Sequence, residues 1–240
     1  MANIQPYVII NGVNSRTITG LIISKLPPIT KAPKRVLQEA IDGRDGDIIT
    51  ELGYSAYDRP LEIGLAGAFN IDQVIEFFNS SGVVIFSDEP DKYYNFTIFE
   101  GIDFNKLLRF KTASVVFHVQ PYKFKVDETP LTPTMSTSPN SVTITNAGNV
   151  SASPIIEITG SGDVTLNLNG ADLLEIALDA LGEKIIIDTE SMNAYATDGA
   201  FLNRQVAGDY DKIKLNKGAN TLTLTGTVTA LKITKYSRWI

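Results

Sequence analysis

Residues Thr129 to Ser141 divide the chain. This stretch, TPLTPTMSTSPNS, holds three prolines, seven serines or threonines and no formal charge. Such a composition cannot build a core, and its prolines keep backbone extended, so it reads as a linker. One domain is expected over residues 1–128 and another over 142–240, with the linker at 129–141 between them. A chain of 240 residues has room for both at the usual ~150 residues or fewer per small domain.

Composition removes most chemistry before any motif is read. There are no cysteines, so disulfides, a thiolate nucleophile and Cys-based zinc or iron-sulfur sites are excluded. The single histidine, His118, leaves little for a His-rich metal site or a Ser-His-Asp triad. A net charge of −6 calls for neither nucleic acid nor an anionic membrane as partner. No apolar run approaches the ~20 residues of a membrane-spanning helix, and MANIQPYVIING lacks the pattern of a secretory signal. No catalytic, cofactor or metal residues are assigned, and an enzyme is not expected.

Before the linker, extended segments rich in β-branched and aromatic residues dominate: residues 7–10, 17–25, 61–65, 83–86, 93–99 and 106–119. Each reads as a strand. One segment differs. Asn70 can cap a helix in which Ile71, Val74, Ile75 and Phe78 follow the i, i+3, i+4, i+7 spacing, with Gly82 as its stop. Residues 34–41 fit a second helix or a strand, and the Gly43/Gly46 turn after them tips the reading to a strand. Beyond the linker, short strands are expected at 141–145, 154–159, 163–168, 173–178, 183–188, 211–215, 221–225 and 230–236, separated by Gly, Asn and Asp turns. This spacing suggests a jelly-roll β-sandwich. The fold class is therefore mainly β throughout.

Several motifs have bland explanations. His118 sits on the strand pattern Val115-Val-Phe-His-Val119 with no nucleophile or acid partner nearby in sequence, and reads as structural. The turn Asp42-Gly-Arg-Asp-Gly-Asp47 fails as a calcium loop, because Arg44 and Gly53 stand where oxygen ligands belong. With 27 acids, candidate glycosidase pairs arise by chance. Tyr93, Tyr94, Phe96 and Phe99 nearly alternate and read as core. Lys232, Lys235 and Arg238 read as the solvated groups of a final strand carrying Trp239.

One charge pattern is harder to dismiss. Residues 1–38 carry five basic groups and no acid, while residues 39–60 carry six acids against two arginines. The blocks either neutralise each other within one hairpin or form two halves of a head-to-tail contact between copies.

The order Arg35-Val-Leu-Gln-Glu-Ala-Ile-Asp-Gly-Arg-Asp-Gly-Asp47, the helix 71–78, Gly82-Val-Val-Ile-Phe-Ser-Asp-Glu-Pro-Asp-Lys-Tyr-Tyr94 and Gln120-Pro-Tyr122 resembles the distal tail (Dit) proteins of long-tailed siphophages over most of residues 1–125. The resemblance implies a structural virion protein of the tail tip or baseplate, assembled in the host cytoplasm. It implies a homo-hexameric ring joining the tail tube protein to the tail-associated fibre or lysin protein, often anchoring receptor-binding proteins. It further implies an N-terminal β-sandwich or split barrel with one helix and a belt extension, and a C-terminal galectin-like β-sandwich. On that footing Arg35, Arg44, Asp45 and Asp47 are expected near subunit contacts. The rival reading is a carbohydrate-binding module acting in host cell-wall attachment. It is weakened by the few aromatics of residues 141–230, which are Tyr195, Phe201 and Tyr210.

Overall fold

The structure, a computed structural model, describes residues 5–43, 45–136 and 138–240. It separates into a first unit ending at Val126 and a second over Asp127–Trp239.

In the first unit, β1 (Val8–Ile10), β2 (Val13–Asn14), β3 (Leu21–Lys25), β4 (Lys34–Ala40), β5 (Asp47–Tyr54), β6 (Tyr57–Leu65), α1 (Ile71–Phe78), β7 (Ser81–Phe86), β8 (Lys92–Thr97), α2 (Phe104–Phe110) and β9 (Thr112–Lys125) follow in chain order. Seven strands make an antiparallel sheet in the order β2-β1-β7-β8-β9-β6-β3. Strict alternation places Leu61, Ile63, Val115, Phe117 and Val119 on one buried face. Phe117 is the hub of that core, with ring centroids 5.1 Å from Phe96, 5.7 Å from Phe86 and 6.4 Å from Phe78.

The helix α1 begins as the sequence indicates. The Asn70 side chain accepts hydrogen bonds from the backbone N–H groups of Asp72 and Gln73 at 3.0 and 3.3 Å. Its buried face is Val74, Phe77 and Phe78, while Ile75 faces out. The helix ends at Phe78, and Gly82 already lies inside β7. A second helix, α2, occupies residues expected as the start of a strand. Asp103 caps it by accepting from the Lys106 N–H at 2.8 Å, and Lys111 ends it in the left-handed conformation. Phe104, Leu107 and Leu108 have helical spacing, but the strong alternation from Thr112 onward masks it.

The second unit contains β10 (Asn140–Asn146), β11 (Ile155–Leu168), β12 (Ala171–Asp188), β13 (Asn193–Tyr195), β14 (Val206–Gly208) and β15 (Gly218–Thr234). They form a curled sheet in the order β10-β15-β11-β12-β13, with β14 also on β12. Pairs of short strands expected from the sequence are halves of single long strands. The glycine clusters between them are bulges rather than turns: the β11–β12 ladder shifts register between Gly160 and Gly162, and the β11–β15 ladder between Thr159 and Gly160 and between Ser161 and Thr165. Backbones approach closely there. A Cβ on Gly160 would lie 2.1 Å from the Thr227 carbonyl oxygen, and one on Gly226 2.3 Å from that of Asp163. Ile156 and Ile158 from one half of β11 and Val164, Leu166 and Leu168 from the other share one core, so the sheet folds over itself as a sandwich does.

Residues 211–215, expected as a strand, form a 3-10 turn at Tyr210–Lys212 and a single bridge from Leu215 to Ala152. Ile213 and Leu215 alternate into the core without a ladder beside them. The proline-rich segment lies against the second unit's sheet: Leu131 pairs with Ile233, and Met135 packs on that unit's core. The basic groups near the end are ion-paired, Lys232 to Glu157 at 2.7 Å, Lys235 to Glu128 at 3.6 Å and Arg238 to Glu190 at 3.4 Å; Lys232 stays exposed as expected, whereas Arg238 is buried.

Candidate functional site

The strands β4 and β5 belong to neither sheet. Among the described residues they pair only with each other, from Lys34↔Tyr54 to Ala40↔Asp47, with a bulge at Arg35/Val36. Every residue of this ribbon is exposed except the half-buried Tyr54. Cross-strand partners share a face, so one face carries Val36, Gln38 and Ala40 opposite Glu51, Ile49 and Asp47. The other carries Leu37 and Glu39 opposite Thr50 and Ile48. Both faces thus mix apolar and charged side chains. Val36, Leu37, Ile41, Ile48, Ile49 and Leu52 all stand between 40% and 63% exposed. A lone two-stranded ribbon is marginal in water, and β-branched residues on both of its faces are suited to contact on both.

The root of the ribbon is held firmly. Arg59, 1% exposed, lies between the rings of Phe86 and Tyr94, its guanidinium carbon 4.5 and 4.7 Å from their centroids. Its Nη2 donates to the carbonyl oxygens of Pro27 and Pro28, both at 3.3 Å, on the segment entering β4. Among the described residues Nε and Nη1 have no hydrogen-bond partner. The Tyr57 hydroxyl donates to the Thr30 carbonyl at 3.3 Å, and the Ser55 N–H to that of Pro33 at 2.9 Å. Behind Arg59, Lys123 grips Glu89 at 2.6 and 2.8 Å, and the Tyr94 hydroxyl donates to the same carboxylate at 3.3 Å. Burial pushes the Tyr94 and Tyr57 phenols upward despite the arginine, so both remain neutral donors.

Of the residues singled out from sequence, Arg35 lies at the ribbon's root and Asp47 at its far end, beside Asp45 in the turn. Five residues of strand separate Arg35 from the tip, roughly 17 Å, so the structure brings Asp45 and Asp47 together but not Arg35 with them. Arg44 lies outside the described residues. Within the ribbon Lys34 binds Glu51, and Gln38 binds Asp47. Among the described residues no ion pair uses Arg35, Asp45 or Asp47, so internal neutralisation accounts for only part of the charge blocks. The six apolar positions were invisible as a surface, because alternation in a strand ordinarily means one buried face. His118 has an acid partner that sequence did not reveal: its Nδ1 lies 2.7 Å from Asp58 Oδ1, and its ring 4.9 Å from that of the exposed Phe99. Among the described residues no cluster of His, Asp and Glu is arranged to hold a metal, and no helix is long and apolar enough to cross a membrane.

No protein-family model matches this sequence, and no curated protein does. The fold does match a solved structure. The Dit protein of phage SPP1, described as a paradigm of the hub adsorption apparatus in phages infecting Gram-positive bacteria, superposes with a TM-score of 0.70 at 16% identity. The match covers 96% of this chain and 99% of that one. The chain has the Dit fold. The baseplate of phage P2 in its activated, calcium-bound conformation also aligns, over 95% and 97% of the two chains at 10% identity, but with a TM-score of only 0.43. The mainly β, Dit-like fold expected from the resemblance in sequence is thus borne out, with two helices in the first unit where one was expected.

Proposed function

We propose that this chain is a structural virion protein of a long-tailed phage or prophage, a hub at the distal end of the tail rather than an enzyme. The observation that carries the reading is the match to SPP1 Dit over nearly the whole of both chains. A hub of this kind would contain six copies in a ring, joining the tail tube to the tail-associated fibre or lysin protein and offering attachment to host-recognition proteins. The β4–β5 ribbon supports the ring. Its apolar side chains need cover on two faces, which a neighbouring copy supplies in a head-to-tail, ring-closing arrangement. Asp45, Asp47 and Arg35 then set orientation, since exposed ion pairs are worth under ~1 kcal/mol each.

Solution mass by light scattering over a range of protein and salt concentrations, with negative-stain images of the eluted species, tests this. A mass of six chains, or of two stacked rings, with a central hole is the expected result. A monomer at every concentration, together with failure to bind purified tail tubes, would overturn it. A monomer with a sugar-dependent melting shift would instead support the rival reading of a free carbohydrate-binding module.

A further inference from the structure

Residues 188–203 of the second unit build a rigid aromatic corner. The Asp188 carboxylate accepts from the N–H groups of Glu190 and Ser191 at 2.9 and 3.1 Å, closing one turn. A tight hairpin follows, in which Tyr195 pairs with Phe201 and the Ala196 N–H donates to the Ala200 carbonyl at 2.8 Å. Asn203 locks its base, accepting from the Ala194 N–H at 2.6 Å and donating to Asn193 at 2.8 Å. Cross-strand pairing sets the Tyr195 and Phe201 rings side by side, with centroids 5.2 Å apart and planes tilted by 42°. Phe201 is 68% exposed and Met192, in the preceding turn, 55%. The hydroxyls of Tyr195 and Ser191 lie 3.5 Å apart at the edge of the pair.

An exposed phenylalanine fixed in place by two turns and an asparagine clamp has nothing to do for the core, which Ala194 and Leu202 serve from the same hairpin. We propose that Tyr195 and Phe201 form a binding platform for a neutral pyranose sugar, the apolar C–H face of one ring lying on the aromatics while its hydroxyls meet Tyr195 and Ser191. Size separates this occupant from a protein. Phe201, Met192 and the half-buried Tyr195 together offer roughly 300 Å² of surface, against about 800 Å² per partner in a standard protein interface. Charge separates it from an anionic glycan, because Asp188, Glu190 and Asp198 stand on these turns against Arg204 alone, and Glu190 is already held by Arg238. Preorganisation suits a small ligand, whose few contacts cannot offset the ordering of a loose loop. The site is independent of the ring described above.

The chain carries three methionines, Met1, Met135 and Met192, so methyl NMR of the full protein labelled at methionine follows Met192 in the turn that leads into the hairpin, with Met135 as internal control. Neutral tetrasaccharides of glucose, galactose and N-acetylglucosamine are titrated separately, up to about 20 mM, where a millimolar site is nearly filled. A saturable shift of Met192 but not Met135 with at least one of them is expected, weakened at least about tenfold in Phe201→Ala. Phe201 is exposed, so this variant keeps the fold, and an unchanged Met135 signal together with an unchanged urea unfolding midpoint verifies it. Absence of a shift with all three sugars, an equal shift in Phe201→Ala, a response only to a polyuronate, or a Met192 shift driven by protein concentration alone would each overturn the proposal.

Discussion

Ile48 and Ile49 are neighbours on β5 that point to opposite faces of the ribbon, which makes them separate probes of what covers each face. Full burial of an isoleucine is worth about 1.5–3 kcal/mol. Ile49 is 63% exposed and Ile48 40%, so covering them in an assembly returns about 1–2 and about 0.6–1.2 kcal/mol respectively. Threonine keeps the β-branch and the strand preference but forfeits most of that gain. Ile49→Thr should therefore weaken association roughly 5–30-fold, Ile48→Thr roughly 3–8-fold, and the double variant roughly 15–240-fold if the faces act independently. Light scattering across a dilution series gives the association constants, and urea unfolding of the dissociated protein gives its stability, which should move by under ~0.5 kcal/mol because both side chains already meet water. One silent single variant would mean that only one face is covered. Two silent variants, or a loss of stability without loss of association, would refute the idea that the ribbon is an interface.

Reversing Asp45 and Asp47 to lysine should weaken assembly at low salt and lose its effect at high salt; assembly unaltered at all ionic strengths would remove these residues from the contact. Glu157 is drawn upward by burial but carried below the usual carboxylate range overall by Lys184 and Lys232. Its contribution to stability is thus complete above the unfolded carboxylate value and disappears as pH falls through the depressed folded value. Glu157→Gln should flatten the acid side of the second unit's stability curve, measured by denaturant unfolding between about pH 7 and 3. Gly160→Ala forces a Cβ against the Thr227 carbonyl and should cost about 2 kcal/mol or more by strain at the bend; a change within about 0.5 kcal/mol would show that the backbone there yields freely.

Much of the fold was legible because local signals and tertiary structure agree. The cap at Asn70, the alternation through Val115–Val119 and the turn at Gly43/Gly46 each found their element. Signals failed where one residue type serves two purposes. Glycines at 160–162 and 226 read as turns because a bulge in a continuous ladder asks for the same backbone freedom. Phe104–Phe110 lost its helical spacing beside a longer strand pattern. The candidate site was half visible: Asp45 and Asp47 emerged from charge, whereas the apolar ribbon did not, since a strand's pattern does not say that its partner face is missing. Arg59 could not be found from sequence at all. Its role depends on Phe86, Tyr94 and Pro27, which only the folded chain assembles around it.

The place of β15 has a consequence in time. It lies between β10 and β11, yet it is made about fifty residues after β11 ends and pairs Asn140 with Leu224 across the whole unit. During synthesis, β10 and β11 therefore wait with open edges until residues 218–234 have left the ribosome, by which time all seven strands of the first unit's sheet have long emerged. At 5–20 residues per second that interval lasts several seconds. The second unit is consequently the half of the nascent chain most exposed to wrong pairing, and truncation or pausing before Gly218 should be the chief cause of poor yield of this protein in a cell.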